Sequence, residues 1–484
     1  MLEEKKTGRT ESRSMSRREF IGTTAAAAAA FTIVPRHVLG GPGYIPPSEK
    51  TNLAMIGVGG QGNVDLGNFM PMPEVQVVGV CDVYKECDYS KFYFGGVKGW
   101  EPTQKLVDRH YAQQKRSGQY KGCYAYVDFY EMLDKESDID AISVATTDSL
   151  HALAAMAGIK RGKHVYCQKP LTHDVFEARA LAEAAREAGV ASQMGNQGHA
   201  GEGNRLMKEW IQDGAIGDVH EVHVWTNRPY GYWPQGVGRP EEKMRVPRGL
   251  DWDRWLGPAP YRPYHEIYVP FNWRGVWDFG SGALGDMGCH LLDTPHYVLD
   301  LPQPVRIEAS ATPVNDETAP VGSIIHYEFP AQGSKPSINL TWYDGGLKPK
   351  RPEVLEQGRR MGDGSGVIIM GDKGTILCNT YGENPRLIPE SAMKAYQTPP
   401  KTLKRVPGIY QDFINACQGG DPACSNFDVS GPLTEITLLG NLALRAVRAE
   451  KPLEWDAEKL EVTNYSNVNK YVKRKYRKGW LLEK

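Results

Sequence analysis

The sequence predicts an α/β protein of two domains. The first is an N-terminal Rossmann dinucleotide-binding domain. The second is a C-terminal α+β domain with a large open, mostly antiparallel sheet. Three observations carry this. The glycine turn Gly57-Val58-Gly59-Gly60-Gln61-Gly62 follows an apolar run at 52–56. Short β-branched runs then alternate with helical patterns up to about residue 195. Beyond it, Val219, Val222 and Val224 open a region of strands broken by Trp/Pro/Gly-rich loops.

The elements follow in order. Apolar runs at 53–56, 75–80, 141–145 and 165–167 are short, as strands buried on both faces should be. Helical patterns at 63–70, 128–135, 150–161 and 175–188 alternate with them. This defines a dinucleotide-binding domain over 51–195. The excursion 84–122 is long, aromatic and charged, so it should contain a helix of its own. A helix at 205–211 and the valine strands begin the second domain, 196–484. Its last strong helix is expected at 432–448, with Leu433, Ile436, Leu439, Leu442 and Ala443 on one face, packing back toward the first domain. An open sheet needs a partner, which implies a homodimer or homotetramer.

The N-terminus reads differently. Ser16-Arg17-Arg18-Glu19-Phe20-Ile21 precedes Gly22 and an alanine run at 25–30, the pattern of a twin-arginine export signal. The apolar stretch 20–34 is shorter than the ~18–20 residues a membrane-spanning helix needs. Residues 1–40 are therefore expected to be a leader and 41–50 a Gly/Pro-rich linker. The mature protein is expected in the periplasm without a membrane span. An exported protein that uses a dinucleotide must carry its cofactor with it, or have it recycled by something unusual.

Composition narrows the class. The chain has 484 residues, enough for two domains. Hydrophobic residues at 40% and charged residues at 24% fit a globular protein. A formal net charge of -1 gives no global basic field for nucleic acid or anionic membrane. None of the eight cysteines forms a C-x-x-C pair. They read as buried free thiols, except that Cys417 and Cys424 flank a turn and could pair in an oxidising compartment.

The glycine turn assigns the cofactor. Gly57 permits the tight turn, Gly59 admits the pyrophosphate to the backbone, and Gly62 permits close helix–strand packing. Gly60 and Gln61 complete the loop, and the helix N-terminus adds its positive end. Asp82 lies about 20 residues past Gly62, where the fingerprint wants an acid for the ribose hydroxyls. That acid repels a 2′-phosphate, which favours NAD over NADP.

Two further segments carry chemistry. Gln168-Lys169-Pro170 ends a strand, so Lys169 either points into the ligand crevice or is an ordinary solvated lysine. In the crevice its ammonium steadies a developing alkoxide. Asp286 and His290 are spaced i,i+4, placing a carboxylate and an imidazole on one helix face. With Asp293 they could also suggest a metal, but such spacings are common on plain helices, and none is expected. Asn196, Gln197 and His199 follow another strand and suit substrate or nicotinamide contacts, or turn capping. Trp225, Trp233, Trp252, Trp255, Trp273 and Trp277 are six of the eleven tryptophans, read as core or dimer contacts or as faces for sugar rings.

Together these motifs resemble the Gfo/Idh/MocA oxidoreductases over about residues 52–448, and an exported branch of that family in Gly195–His199 and the tryptophan-rich middle. The resemblance implies a catalytic lysine at Lys169 and an Asp/His pair at Asp286 and His290. His290 then removes the hydroxyl proton, Asp286 orients it, and Lys169 steadies the oxygen beside the cofactor. It also implies cofactor contacts at Thr146, Thr147 and His151, where His151 is equally readable as a helix-start residue packed on the surface. One departure stands out: the family's Glu-Lys-Pro is Gln168-Lys169-Pro170 here, which removes a charge partner for the lysine. The function implied is NAD(P)-dependent oxidation or reduction of a carbohydrate or polyol hydroxyl, at C3 of a glycoside, with NAD tightly held. Two alternatives are a redox-neutral glycosidase working through a 3-keto intermediate and a non-catalytic carbohydrate-binding protein.

Overall fold

Two sheets organise a computed structural model that describes residues 45–114, 120–362 and 364–482. The leader at 1–40 and linker residues 41–44 lie outside the described residues.

The first sheet is six-stranded and parallel. Its strands are β1 (Thr51–Ile56), β2 (Val75–Cys81), β5 (Tyr124–Tyr126), β6 (Ala141–Val144), β7 (His164–Cys167) and β8 (Ser192–Met194). Their order, β5-β2-β1-β6-β7-β8, reverses between β1 and β6. That reversal is the doubly wound switch point, where ligands bind beyond the strand C-termini. The short strands β3 (Cys87–Asp88) and β4 (Val97–Lys98) form a separate hairpin in the excursion.

Helices α1 (Gly60–Phe69), α2 (Trp100–Gln113), α3 (Phe129–Lys135), α4 (Asp148–Ile159) and α5 (Val175–Ala188) connect these strands. The excursion thus contains its expected helix, α2. Every residue of α4 is buried, so its apolar sequence needs no polar stripe. α5 begins with a capping box between Asp174 and Glu177 and ends at the left-handed Gly189.

The second sheet has nine strands. They are β9 (Val219–Trp225), β10 (Arg306–Ala311), β11 (Ser323–Phe329), β12 (Ile338–Tyr343), β13 (Gly366–Gly371), β14 (Thr375–Cys378), β15 (Arg386–Ile388), β16 (Leu453–Asp456) and β17 (Glu461–Val462). The order is β15-β14-β13-β9-β12-β11-β10-β16-β17. Only the β9–β12 pair is parallel, giving the open, mostly antiparallel sheet that the sequence predicts.

Helices α6 (Glu202–Gln212), α7 (Trp252–Leu256), α8 (Gly282–Leu291), α9 (Asp293–Leu299), α10 (Glu390–Ala395), α11 (Ile409–Cys417) and α12 (Phe427–Ala446) complete the second half. α12 starts five residues before the sequence reading placed it. Asn426 caps the Asp428 N–H, and Pro432 lies inside the helix rather than at its first turn. α12 packs on α5, β10 and α8. Its approach to α8 needs glycine: a Cβ on Gly288 would stand 2.6 Å from Thr437, and one on Gly440 2.5 Å from Leu284. α8 is thereby fixed between the two domains. All six tryptophans of the middle region are buried, and all eight cysteines are free thiols, Cys417 and Cys424 included.

Candidate functional site

The glycine turn lies at the switch point. A Cβ at Gly57 would meet the Ala145 carbonyl oxygen at 2.5 Å, and one at Gly62 would meet the Gly57 oxygen at 1.8 Å. Only glycine therefore lets β1 enter α1 this tightly against β6. Gly59 has no side chain to cap α1, so N–H groups of its first turn are open to an anion, beside the Tyr89 hydroxyl at Gly60. Asp82 follows β2. Its Oδ2 accepts the Val58 N–H and its Oδ1 the Tyr84 N–H, each at 2.8 Å. Burial pushes its carboxyl up to about 6 despite those two bonds.

A cleft of about 420 Å³ runs from here along the strand ends. Gly57, Gly59, Gly60, Gln61, Asp82, Thr146, Thr147, His151 and Lys169 all line it. Gln61 donates to Asp65 at 3.0 Å, Thr146 Oγ1 donates to the Thr147 oxygen, and Thr147 Oγ1 meets Ser149 Oγ at 3.0 Å. His151 Nδ1 bonds the Pro170 oxygen at 2.7 Å, while its buried Nε2 has no partner among the described residues. Burial pushes this imidazole down to about 4, leaving it neutral. The glycine turn, the uncapped helix end, the carboxylate after β2 and this orphaned nitrogen fit a dinucleotide. They would hold its pyrophosphate, ribose and nicotinamide in turn.

Lys169 ends β7 and reaches α8. Its Nζ donates to Asp286 Oδ1 at 3.1 Å and to the Asp286 main-chain oxygen at 2.7 Å. Arg228 and Arg274 flank the same carboxylate, their Nε atoms 3.7 and 3.6 Å from its oxygens. Burial works against ionising Asp286, but Lys169, Arg274 and Arg228 hold it below its ordinary value. Asp148, at the start of α4, is pushed up to about 7 by burial, against the pull of Arg274 and Lys169.

The expected Asp286–His290 coupling takes another form. The i,i+4 spacing holds on α8, but Asp286 gives its carboxylate to Lys169. Lys169 reaches it from the facing strand end. His290 Nδ1 is buried without a partner among the described residues, and the ring meets Tyr381 edge-on at 5.1 Å. Like Arg228, it stands behind Asp286 rather than in the lining of the cleft. Burial first, then Lys169, pushes His290 well below its ordinary value, so it is neutral.

Gln168 also departs from expectation. Its amide donates to both oxygens of the buried Asp65, each at 3.0 Å. Beside the Gln61 bond, the Tyr410 hydroxyl adds a fourth at 2.9 Å. The negative charge missing beside Lys169 is thus supplied by Asp286, while Gln168 serves a carboxylate on α1.

Asn196, Gln197 and His199 do not line the main cleft. Asn196 Oδ1 accepts from Ser425 at 2.7 Å, Gln197 is exposed, and His199 Nδ1 lies 2.7 Å from Asp293. The loop before α12 covers the turn after β8, and Asn196 Nδ2 is buried there without a partner among the described residues. Among the described residues no group of three His, Cys, Asp or Glu is placed to hold a metal.

Two coverings of the cleft escape sequence reasoning. The excursion carries Tyr89, Phe92, Tyr93 and Phe94 over the glycine turn, where Phe92 stacks on Phe271 at 5.0 Å. The Tyr89 hydroxyl stands 2.3 Å from where a Cβ of Gly59 would be. At the other end, the C-terminal segment turns back onto the first domain. Arg474 and Tyr476 bond Glu177 of α5 at 2.8 and 2.6 Å. Arg477 bonds the Gly257 oxygen, and Trp480 then lines the cleft beside Tyr130 and Arg254. The Tyr/Lys/Arg-rich string 471–480 is the only sequence sign of this return.

Comparison with known proteins agrees with this geometry. "Oxidoreductase family, NAD-binding Rossmann fold" matches residues 96–196, and "Oxidoreductase family, C-terminal alpha/beta domain" matches 202–341. The chain is 29% identical over 188 residues to 1,5-anhydro-D-fructose reductase of Ensifer adhaerens, covering 37% of this chain and 44% of that protein. It is 26% identical over 220 residues to glycosyl hydrolase family 109 protein 2 of Akkermansia muciniphila, covering 44% of this chain and 43% of that protein. The alignments thus span less than half the length of these curated relatives. The solved structure of the WlbA dehydrogenase from Bordetella pertussis, in complex with NADH and UDP-GlcNAcA, shares the fold. It has a TM-score of 0.54 at 16% identity, over 84% of this chain and 99% of that one. By its two domain matches and its relatives, the chain belongs to the Gfo/Idh/MocA family of oxidoreductases.

Proposed function

We propose that this protein is an NAD-dependent oxidoreductase acting on a hydroxyl of a sugar or polyol, at C3 of a glycoside, with its cofactor tightly held. The observation that carries this reading is the Lys169–Asp286 contact. It places a fixed ammonium where the cleft of the first domain meets α8 of the second. Bound nicotinamide supplies the hydride acceptor. Lys169 Nζ, already oriented by Asp286, keeps donor capacity for a substrate oxygen. That contact strengthens as the oxygen gains charge. Neutral His290, with a free Nδ1, accepts the hydroxyl proton. The aromatic covering at Phe92–Phe94 limits water at the reacting carbon. The reading includes export by the leader within residues 1–40 and assembly as a homo-oligomer through the open sheet.

The glycosidase-named relative supports a second reading, redox-neutral cleavage of a glycoside by the same residues. The test is to load the full chain with NAD and offer matched free sugars, polyols and aryl glycosides. Lasting reduced nicotinamide supports net oxidation. Release of the aryl group without it supports the second reading. A chain that does not bind NAD overturns both.

A further inference from the structure

Three cationic side chains converge on one carboxylate where α8 meets the cleft. Lys169, Arg228 and Arg274 are only 17, 21 and 14% exposed, and Asp286 is 12% exposed. Asp148, pushed up toward neutral pH by burial, adds only part of a negative charge, and His290 is neutral. The site therefore holds excess positive charge largely withdrawn from water, a costly state unless a ligand brings an anion.

The two arginines are not used up on Asp286. A structural arginine–carboxylate pair closes to about 2.7–2.9 Å, with paired parallel bonds. Here the nearest approaches are 3.7 and 3.6 Å, through Nε. Each guanidinium is instead held by aromatic rings and by one short-range bond from Nη1, Arg228 to Asn227 Oδ1 at 3.1 Å and Arg274 to the Phe271 oxygen at 3.0 Å, which leaves the Nη2 donors uncommitted to Asp286. Arg228 Cζ lies 3.2 Å from the Tyr232 ring centroid, and Arg274 Cζ lies 4.2 and 4.5 Å from those of Phe271 and Trp273. Stacking fixes the plane of a guanidinium while leaving its edge able to bind.

The glycine turn and the N-terminus of α1 would seat the cofactor's own phosphates. Arg274 is also felt by Tyr89 beside that turn, so the test reads NAD binding alongside sugar binding. Arg228 follows β9 of the second domain, and its charge is felt by Tyr381 and Tyr93 at the substrate end.

We propose that the substrate is an acidic sugar whose carboxylate docks on Arg228 and Arg274 while its reacting hydroxyl meets Lys169. This rests on the oxidoreductase reading of the site and names its substrate class. Both arginines are specificity-determining residues, and a neutral sugar leaves their charge unmatched.

The test uses the NAD-loaded full chain. Binding of D-glucuronate, D-galacturonate and D-gluconate is measured by calorimetry beside D-glucose and D-galactose, at low and high salt. At least one acid should bind about 10- to 100-fold tighter than its neutral counterpart, the range for hydrogen bonds to a charged group. That preference should shrink with salt. It should collapse in Arg228→Gln and Arg274→Gln while the Kd for NAD stays within about two-fold. If one variant fails to fold, as judged by its thermal transition, the other decides. Neutral sugars binding as tightly, no acid binding at all, or a preference kept in every folded variant overturns the proposal. Sugar phosphates binding while all carboxylates fail overturns it too. Failure of the oxidoreductase reading looks different: it is loss of NAD binding in the unmodified chain, measured before any sugar is added.

Discussion

Lys169 and Asp286 join the two halves of the site. The ammonium at the end of β7 bonds both the side chain and the main-chain oxygen of Asp286 on α8, at 3.1 and 2.7 Å. One contact therefore aims the lysine and docks α8. Lys169→Met should lower turnover by a factor of about 100 to 10,000 while NAD still binds. Asp286→Ala leaves Lys169, Arg228 and Arg274 without their carboxylate and should cost about 3 kcal/mol of stability. Chemical denaturation and NAD titration of both variants separate these effects. Equal turnover in Lys169→Met would remove the lysine from the chemistry.

His290 should set the acid limb of activity. Its neutral form is favoured because burial and the Lys169 charge oppose protonation. The sign is that a lowered pKa keeps the base available as pH falls. Turnover should hold down through pH 6.5, the ordinary imidazole value, and be lost only below it. The kcat–pH profile of the intact protein beside His290→Asn checks this. An acid limb at or above pH 6.5 in the intact protein, or an unchanged limb in the variant, would assign the proton to another group.

Much of the first domain was legible because its signals are local. The glycine turn, the β-branched runs and Asp82 declare themselves within about 30 residues. Val175–Ala188 appears with its sequence-read bounds because Asp174, Glu177 and Gly189 are written at its ends. The site was legible only in part. Lys169 and Asp286 were both evident as candidates, but their bond spans 117 positions. The i,i+4 pattern suggested that Asp286 served His290, because sequence spacing reports neighbours on one helix and not the strand end facing it. Arg228 and Arg274 sit in loops without periodicity, and no local pattern marks them. Nothing near Asn196 and His199 in sequence shows that Ser425 and Asp293 bond them.

The C-terminal return should slow cofactor release. Arg474 anchors it on Glu177, and Trp480 walls the cleft beside Tyr130. An aromatic contact of this kind is worth about 0.5–1.5 kcal/mol. Trp480→Ala should therefore speed NAD dissociation by roughly 2- to 10-fold. The fold should stay intact, since the anchoring arginines Arg474 and Arg477 are retained. Stopped-flow displacement of NADH by excess NAD measures it. An unchanged off-rate would show that the segment closes no part of the cofactor's path.

Gln168 tests why this chain departs from the family's glutamate. Its amide donates to both oxygens of Asp65, a carboxyl already raised to about 6 by burial. Gln168→Glu restores the family triplet but sets two carboxyls face to face in a dry setting. Only one can ionise without strong repulsion, so the pair would hold a proton in the folded state and release it on unfolding. Because the folded state binds more protons, stability falls as pH rises. The variant should lose about 1–3 kcal/mol at pH 8 and much less at pH 5.5. The intact chain, with one raised carboxyl here, should show a shallower slope over the same range. Thermal or urea unfolding of both proteins at the two pH values provides the comparison. A variant equally stable at both would mean that Asp65 finds another donor, and that Gln168 is not what keeps this carboxylate buried beneath the glycine turn.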